Sequence, residues 1–412
     1  MQRRRIVTSN GAEGMRLSDA TIEYGQRAAE AILGLDVLYR AESGDGTGLA
    51  VLNMSLGDEL RPAPYAGYAE ARGDFEDLRV LAAALPEADR RRYYDQLCHS
   101  SLTFAAWREA GVPFERQLVD FLHVPAAPAS EAEVDALRGA LSDRLSAMGY
   151  SGDLAAQCAA WEDRNRVTAD AVPGVLDALL SEAWDRTMEH VVEIPADKSD
   201  GMRVSAVTDV PFNARCDYLR RTIDLNVEPT LTRPSLKHLA VHEGYPGHYV
   251  QFKLRETMFR AGVAPADNLL SVVNTASSCV FEGIADAGLA AIGWDDGDDD
   301  RVQSLVNRHR AAIGTGAAWR LHGLGRPRGE VTDWLRAQAL VGGDGWVDNR
   351  MQFIAAPSRA VLIWSYWWGE HFVAPAWAAV PEGRRDDFVR FLYGRMHSNE
   401  TVGMFGSGGW IE

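Results

Sequence analysis

The chain has 412 residues, of which 46% are hydrophobic and 24% are charged, as in an ordinary globular protein with room for a large core. Its formal net charge is -16, which argues against binding to nucleic-acid backbones or anionic membranes, because both need clustered lysine and arginine. No run of about 18 apolar residues predicts a membrane span, and no apolar segment follows the basic N-terminus to form a secretory signal. We therefore expect a cytoplasmic location and reduced cysteines.

The N-terminal half predicts helices. Residues 17–35 place apolar side chains at helical spacing behind Ser18, a candidate cap. Residues 130–150 open with Ser130 and Glu133, the spacing of a capping box, and residues 173–193 begin with a proline, which is favoured in a first helical turn. Residues 1–14 are predicted to be a flexible tail.

The composition of the sequence changes at residues 192–234, where β-branched residues are mixed with turn-forming residues. This pattern predicts a small β hairpin or short sheet at the rim of a deep cleft. Helical periodicity returns at 235 and continues to the end, apart from an acidic run at 294–300 that we interpret as a solvated loop. The predicted fold is mainly α, a single helical domain over residues 15–412 with an N-terminal lobe at 15–190 and a metal-binding lobe at 191–412.

Residues 235–251 read SLKHLAVHEGYPGHYVQ and contain three candidate metal ligands: His238, His242 and His248. On a straight α-helix, His242 and His248 would lie roughly 240° apart and could not share a metal. The ring of Pro246 clashes with the carbonyl four residues earlier, while Gly244 and Gly247 tolerate unusual backbone angles. We predict that the helix opens here and brings His248 back beside His242.

An undistorted helix would favour a different pair. His238 and His242 are four residues apart, about 40° round the helix, and could chelate a metal without any opening. This alternative does not explain why Pro246 and Gly247 lie in the segment. In either arrangement Glu243, next to His242, is well placed to act as a base on a water activated by the metal.

A third protein ligand is expected, because catalytic zinc usually takes three. The best candidate is Glu282, which follows His248 by 34 residues and is flanked by small or apolar residues that suggest burial. Asp286 lies four residues further on, on the same helical face. It could accept a hydrogen bond from a ligand histidine and fix its tautomer.

Two segments, HLAVHEGYPGHYVQ at 238–251 and FEGIADAGL at 281–289, resemble the H-E-x-x-P-G-H signature and the F-x-E-G segment of a bacterial family known as domain of unknown function 885. That family is similar to helical zinc peptidases such as the oligoendopeptidases and the thermostable carboxypeptidases. The resemblance implies that His242, His248 and Glu282 bind zinc, or another divalent transition metal, and that Glu243 is the base. It covers residues from about 200 to 400.

A further segment, IWSYWWGE at 363–370, is similar to the S-Y-L-W-S-E run of the oligoendopeptidases, in which the tyrosine stabilises the tetrahedral intermediate. The resemblance implies this role for Tyr366, although a purely structural aromatic patch is the alternative. Arg359 stands where the family has glutamine, and Tyr249 where it often has histidine. Arg359, His397 and Arg395 are further candidates for contacts with substrate. The segment GRMHSNETVGMF places His397 in a polar C-terminal loop, where a plain surface position is the alternative.

Three functions are therefore compared. The leading prediction is a metal-dependent hydrolase that cleaves an amide or peptide bond in a small molecule or short peptide. The second is a biosynthetic enzyme that uses the same metal on a small metabolite by hydrolysis, elimination or rearrangement; the altered residues around Arg359 motivate it. The third is a non-catalytic metal-binding protein, which an intact Glu243 argues against, because a structural zinc usually has four protein ligands and no base. The sequence specifies no oligomeric state.

Overall fold

A computed structural model describes residues 16–43 and 48–406 of the chain. The predicted tail at 1–14 lies outside these residues. The fold is mainly helical, as predicted, with two small sheets. Among the described residues, no helix combines the length and apolarity that a membrane span requires.

The α-helices of the N-terminal half are α1 (Asp19–Ser43), α2 (Tyr68–Ala82), α3 (Ala88–Ala110), α4 (Phe114–Leu122), α5 (Glu131–Ala147), α6 (Leu154–Asn165) and α7 (Val172–His190). Those of the C-terminal half are α8 (Arg233–Leu239), α9 (His248–Arg260), α10 (Ser278–Asp286), α11 (Gly288–Ala291), α12 (Asp298–Ala318), α13 (Arg328–Gln338), α14 (Gly343–Ala355), α15 (Pro357–Ala360), α16 (Ile363–Ala379) and α17 (Arg385–Gly394). Wider π-helical turns follow α8 at Ala240–Gly244 and α12 at Trp319–Gly323.

The predicted helix signals are present in the structure. The hydroxyl of Ser18 accepts a hydrogen bond from the backbone N–H of Thr21 at 3.3 Å. Ser130 and Glu133 form the predicted capping box, each side chain bonded to the backbone N–H of the other. Pro173 lies in the first turn of α7. These local signals therefore identify three helix starts correctly.

The strands form two separate sheets. Strand β2 (Arg203–Val207) pairs in parallel with β4 (Thr222–Asn226), which pairs on its other side with the antiparallel β3 (Ala214–Asp217). The predicted hairpin is thus β3–β4, with β2 added beside it. The other sheet pairs β1 (Ala50–Asn53) with β5 (Leu270–Val272), and neither of these strands was predicted.

The acidic run at 294–300 is not wholly the solvated loop we expected. Helix α12 begins at Asp298, and three aspartates occupy its first turn, where the positive end of the helix dipole favours them. The carboxylate of Asp300 is buried, accepts a hydrogen bond from Gly297 N–H at 3.3 Å and pairs with Lys237 at 2.6 Å. The acidic residues therefore start a helix and tie it to α8.

One large hydrophobic core draws on both halves of the chain, from Tyr24 to Val402. A smaller cluster packs α5 and α6 against the start of α12 and includes Leu141, Trp161 and Val306. All four cysteines are free, and three of them are buried. The large core encloses the segment that contains the three candidate histidines, because Val241 and Tyr245 belong to it.

Candidate metal centre

The helix opens between the candidate histidines, as predicted. Helix α8 ends at Leu239 and widens into the π-helical turn Ala240–Gly244, in which Tyr245 N–H donates to Ala240 C=O at 3.1 Å. The helix is then interrupted, and α9 begins at His248. Gly247 N–H closes the turn by donating to Val241 C=O at 3.0 Å.

Gly247 is essential to this turn because the backbone of the preceding helix lies against it. A Cβ atom at this position would be 1.9 Å from the carbonyl oxygen of His242 and 2.4 Å from that of Val241. Any residue other than glycine would push α9 away from the π-helical turn. The close approach is what places His248 beside His242, with ring centroids 4.6 Å apart.

The third member of the group comes from α10. Glu282 Oε2 lies 3.3 Å from His242 Nε2 and 3.5 Å from His248 Nε2, and all three side chains are buried. A tetrahedral metal with bonds of about 2.0–2.1 Å holds its ligand atoms roughly 3.3–3.4 Å apart. Glu282 Oε2 is also buried without a hydrogen-bond partner among the described residues. The donor set and its spacing therefore fit a divalent metal.

Asp286 supports this group in the manner predicted. Its Oδ1 lies 2.8 Å from His242 Nδ1, so the Nδ1–H donates to the carboxylate and Nε2 is the ring nitrogen near Glu282. Glu282 and Asp286 are one turn apart on α10, so the same helix contacts both nitrogens of His242. The ring of His248 is held differently, by stacking on Phe281 at 4.2 Å between centroids.

His238, His242 and Asp286 also lie close enough together to bind a metal, as the alternative pairing requires. His238 is only partly buried, however, and its Nε2 is 3.7 Å from Asp286 Oδ1, which already accepts the hydrogen bond from His242. Among the described residues, Glu282 Oε2 is a fully buried oxygen without a hydrogen-bond partner, and no ligand atom of the His238 group is buried in that way. The geometry thus favours His242, His248 and Glu282.

The ionisable side chains of the candidate centre shift one another's pKa values. Burial alone would raise the pKa of Glu282, but His248 and His242 lower it to about 2. Burial alone would lower the pKa of His242, but Asp286 raises it well above its ordinary value, with Glu282 and Glu243 adding to the effect. A carboxylate that ionises so readily is a good ligand. Protons on the imidazole would compete with a metal, so affinity is expected to fall at low pH.

Glu243 lies in the π-helical turn, next to His242, and is buried. Its Oε2 accepts a hydrogen bond of 2.8 Å from the backbone N–H of Cys216 on β3. The three-stranded sheet therefore orients the candidate base. Residues of the same hairpin, among them Asn213 and Ala214, line the adjoining cavity, where the sequence predicted the hairpin to lie.

Tyr366 reaches the same cavity from α16, which packs closely on α10. The helices touch at their backbones: a Cβ on Gly283 would lie 2.2 Å from Gly369 C=O. Burial raises the pKa of Tyr366 well above its ordinary value, and the Glu282 carboxylate raises it further against the opposing charge of Arg350. The phenol thus stays protonated and able to donate a hydrogen bond.

The cavity has a volume of about 730 Å³. It is lined by Glu243 and Tyr366, by His238 and His242, and by aromatic and basic side chains from α12 and α14 that were not predicted from the sequence. Representative members are His242, Glu243, Arg310, Trp346, Arg350 and Tyr366. The helical spacing of Trp346 and Arg350 places them on one face of α14, but nothing in that spacing distinguishes them from surface residues.

The other candidates lie elsewhere. Arg359 is on α15, outside the cavity lining. His397 is buried and donates to Phe391 C=O at 2.8 Å, so it neither lies in a polar surface loop nor reaches the cavity. Arg395 is buried beside it in an ion pair with Asp89 at 3.0 Å. Neither residue lines the cavity that contains Glu243 and Tyr366.

A comparison with protein-family models finds no match, and a comparison with curated proteins finds no significant match. Among solved structures, the chain is similar to a "putative lipoprotein" from Colwellia psychrerythraea, with a TM-score of 0.52 and 13% identity over 97% of this chain and 76% of the other. A "putative lipoprotein of unknown function" from Shewanella oneidensis matches with a TM-score of 0.48 and 12% identity, over 82% of this chain and 71% of the other. The first likeness shows a shared fold.

Proposed function

We propose that this protein is a metal-dependent hydrolase that cleaves an amide or peptide bond. The observation that carries the proposal is the convergence of His242, His248 and Glu282 at metal-ligand spacing. His242 and the neighbouring Glu243 line one large cavity. The resemblance of the two motifs to domain of unknown function 885 and to helical zinc peptidases supports the same assignment.

The residues present fit a divalent metal. His242 and His248 would offer neutral Nε2 atoms and Glu282 a carboxylate oxygen, a set that suits zinc and also other transition metals. A metal held there would supply Lewis acidity, which makes water a stronger nucleophile and a carbonyl more electrophilic near neutral pH. Asp286 keeps His242 in the tautomer that such binding needs.

The proton chemistry falls to Glu243. Its carboxylate would accept a proton from the attacking water and deliver it to the leaving nitrogen. Because Cys216 N–H occupies one of its oxygens, the carboxylate is held in a fixed direction beside His242. Tyr366, kept protonated by its surroundings, would donate a hydrogen bond to the oxygen that gains negative charge.

The size of the cavity bears on the choice of substrate. A volume of about 730 Å³ lies within the range of small-molecule sites, roughly 300–1,000 Å³. It accommodates a short peptide or a small amide better than a long extended chain. This favours, as the second candidate, a biosynthetic enzyme that acts on a small metabolite through the same metal and base.

The proposal is tested by Glu243→Gln, with Glu76→Gln on the exposed face of α2 as a control. Both variants are expected to bind the metal with wild-type stoichiometry. Hydrolysis of a panel of short peptides and N-acyl amides should fall by about 10²–10⁴-fold in Glu243→Gln and stay unchanged in Glu76→Gln. Turnover by Glu243→Gln at the wild-type rate would show that Glu243 is not the base.

A further inference from the structure

Two arginines flank one tryptophan on the wall of the cavity. Trp346 and Arg350 lie one turn apart on α14, and Arg310 reaches the same place from α12. The guanidinium carbon of Arg310 is 5.3 Å from the centre of the indole ring, and that of Arg350 is 5.7 Å from it. The indole therefore serves as a shared platform for two positive charges.

This group contains hydrogen-bond donors and lacks acceptors. Arg310 Nε, Arg350 Nε and Trp346 Nε1 are all buried without a partner among the described residues. Arg310 donates one bond, to Val341 C=O at 2.9 Å. Within the described part of the chain no carboxylate forms an ion pair with Arg310 or Arg350.

A neighbouring arginine in the same cavity, Arg308, has both an ion pair and a hydrogen bond to a carbonyl group. Arg308, on the same helix as Arg310, pairs with Glu370 at 3.3 Å and donates to Trp367 C=O at 2.8 Å. Arg310 and Arg350 are partly buried. Placing two like charges side by side in such a site without a direct ion pair is costly, and a binding site is a common reason for keeping them. Burial lowers the pKa of Arg310 to about 10, and the charge of Arg350 adds to this effect against the opposing Glu162 carboxylate. Burial also lowers the pKa of Arg350, which agrees with this cost.

We propose that Arg310, Arg350 and Trp346 form a subsite for a carboxylate group of the substrate. The proposal rests on the hydrolase function and narrows its substrate class to small amides that carry a free carboxylate, such as N-acyl amino acids. Paired guanidinium groups match the planar, two-oxygen geometry of a carboxylate, and their contacts with one indole ring hold the two groups close together.

The location suits this role. The subsite shares the cavity with Glu243 and Tyr366, and Arg350 is near enough to Tyr366 for its charge to oppose the rise in the phenol's pKa. A carboxylate bound by the arginines would therefore lie on the tyrosine side of the metal ligands. This anchors the substrate with its amide between Tyr366 and Glu243, the arrangement that the proposed chemistry needs.

Calorimetric titration with N-benzoylglycine and its neutral isostere N-benzoylglycinamide tests the subsite. The measurements use the metal-loaded protein with Glu243→Gln, so that neither probe is consumed. The acid is expected to bind more tightly than the amide, and Arg310→Gln or Arg350→Gln should weaken acid binding by about 10- to 100-fold while leaving the amide unchanged. The matched control is Arg320→Gln, which removes an arginine stacked 3.9 Å from Trp334, outside the cavity.

Several results would overturn the subsite: equal or no measurable binding of the two probes, acid binding that survives both arginine substitutions because the metal alone holds it, or tighter binding of inorganic phosphate than of the acid. Thermal unfolding guards against misfolding, since removing an unpaired buried charge should leave Tm unchanged or higher. Arg350→Lys, which keeps the charge but loses the fork, should weaken acid binding less than Arg350→Gln.

The two proposals can fail separately. Arginine-dependent binding of the acid without hydrolysis of any amide would leave the subsite standing and remove the hydrolase. Equal rates of hydrolysis for acids and their neutral amides, unchanged by either arginine substitution, would support the hydrolase and exclude the subsite.

Discussion

Replacing Gly247 by alanine is expected to displace one of the proposed histidine ligands without unfolding the protein. The new Cβ would lie 1.9 Å from His242 C=O, and real Cβ contacts are essentially never shorter than 3.0 Å, so the start of α9 must move by about 1.1 Å. Metal-ligand distances tolerate deviations of only about 0.2 Å. Metal affinity should therefore fall by at least about 100-fold, more than the loss of an outer hydrogen bond costs.

Competition with a chromophoric chelator measures the affinity, and circular dichroism checks that the helices persist. Overpacking of this kind costs about 1–3 kcal/mol of stability, which a domain of this size should survive. Gly139→Ala in α5 is the control, because a Cβ there meets no atom within 4 Å and the helix should gain up to about 1 kcal/mol. Wild-type metal affinity in Gly247→Ala would refute the ligand assignment, since a site built on His238 does not depend on this turn.

Three further outcomes follow from the geometry. Asp286→Asn should weaken metal binding by about 10- to 100-fold in the same chelator competition, because His242 loses the acceptor that fixes its tautomer; unchanged affinity would show that the 2.8 Å contact has no such role. Tyr366→Phe should lower kcat by about 10²–10³-fold with little change in KM, whereas an unaffected kcat would make the tyrosine structural. Burial, with the charge of Arg90 adding to it, lowers the pKa of His397 from 6.5 to about 3. The unfolded state therefore binds a proton at a higher pH than the folded state does, so the free energy of unfolding falls as pH falls below 6.5. Between pH 7 and pH 4.5, the free energy of urea unfolding should fall by roughly 2.5 kcal/mol less in His397→Gln than in the wild type. Equal falls would mean that His397 does not stay neutral in the fold.

Features encoded over a few residues could be predicted from the sequence. The capping box at Ser130 depends only on a spacing of three, and the pairing of Asp286 with a histidine of the candidate centre follows from its position one turn after Glu282. The opening of the helix was likewise predictable, because a proline and two glycines in one turn exclude a continuous helix.

Features that depend on distant parts of the chain could not be predicted. Strand β5 has three residues, and its partner β1 lies more than 200 positions earlier, so no local pattern marks either one. The sequence around His397 predicts a polar loop, but residues remote in sequence bury it. Arg90, for example, donates to the adjoining Met396 C=O. Likewise, Arg310 and Arg350 come from different helices, and only the fold brings them to one indole ring.

Metal content measured by mass spectrometry tests the central claim most directly. After gel filtration in the presence of a weak chelator, the wild-type protein and His238→Ala should each retain about one transition-metal ion per chain, whereas His248→Ala should retain none. Retention by His248→Ala together with loss from His238→Ala would contradict the assignment and move the metal to the group formed by His238, His242 and Asp286.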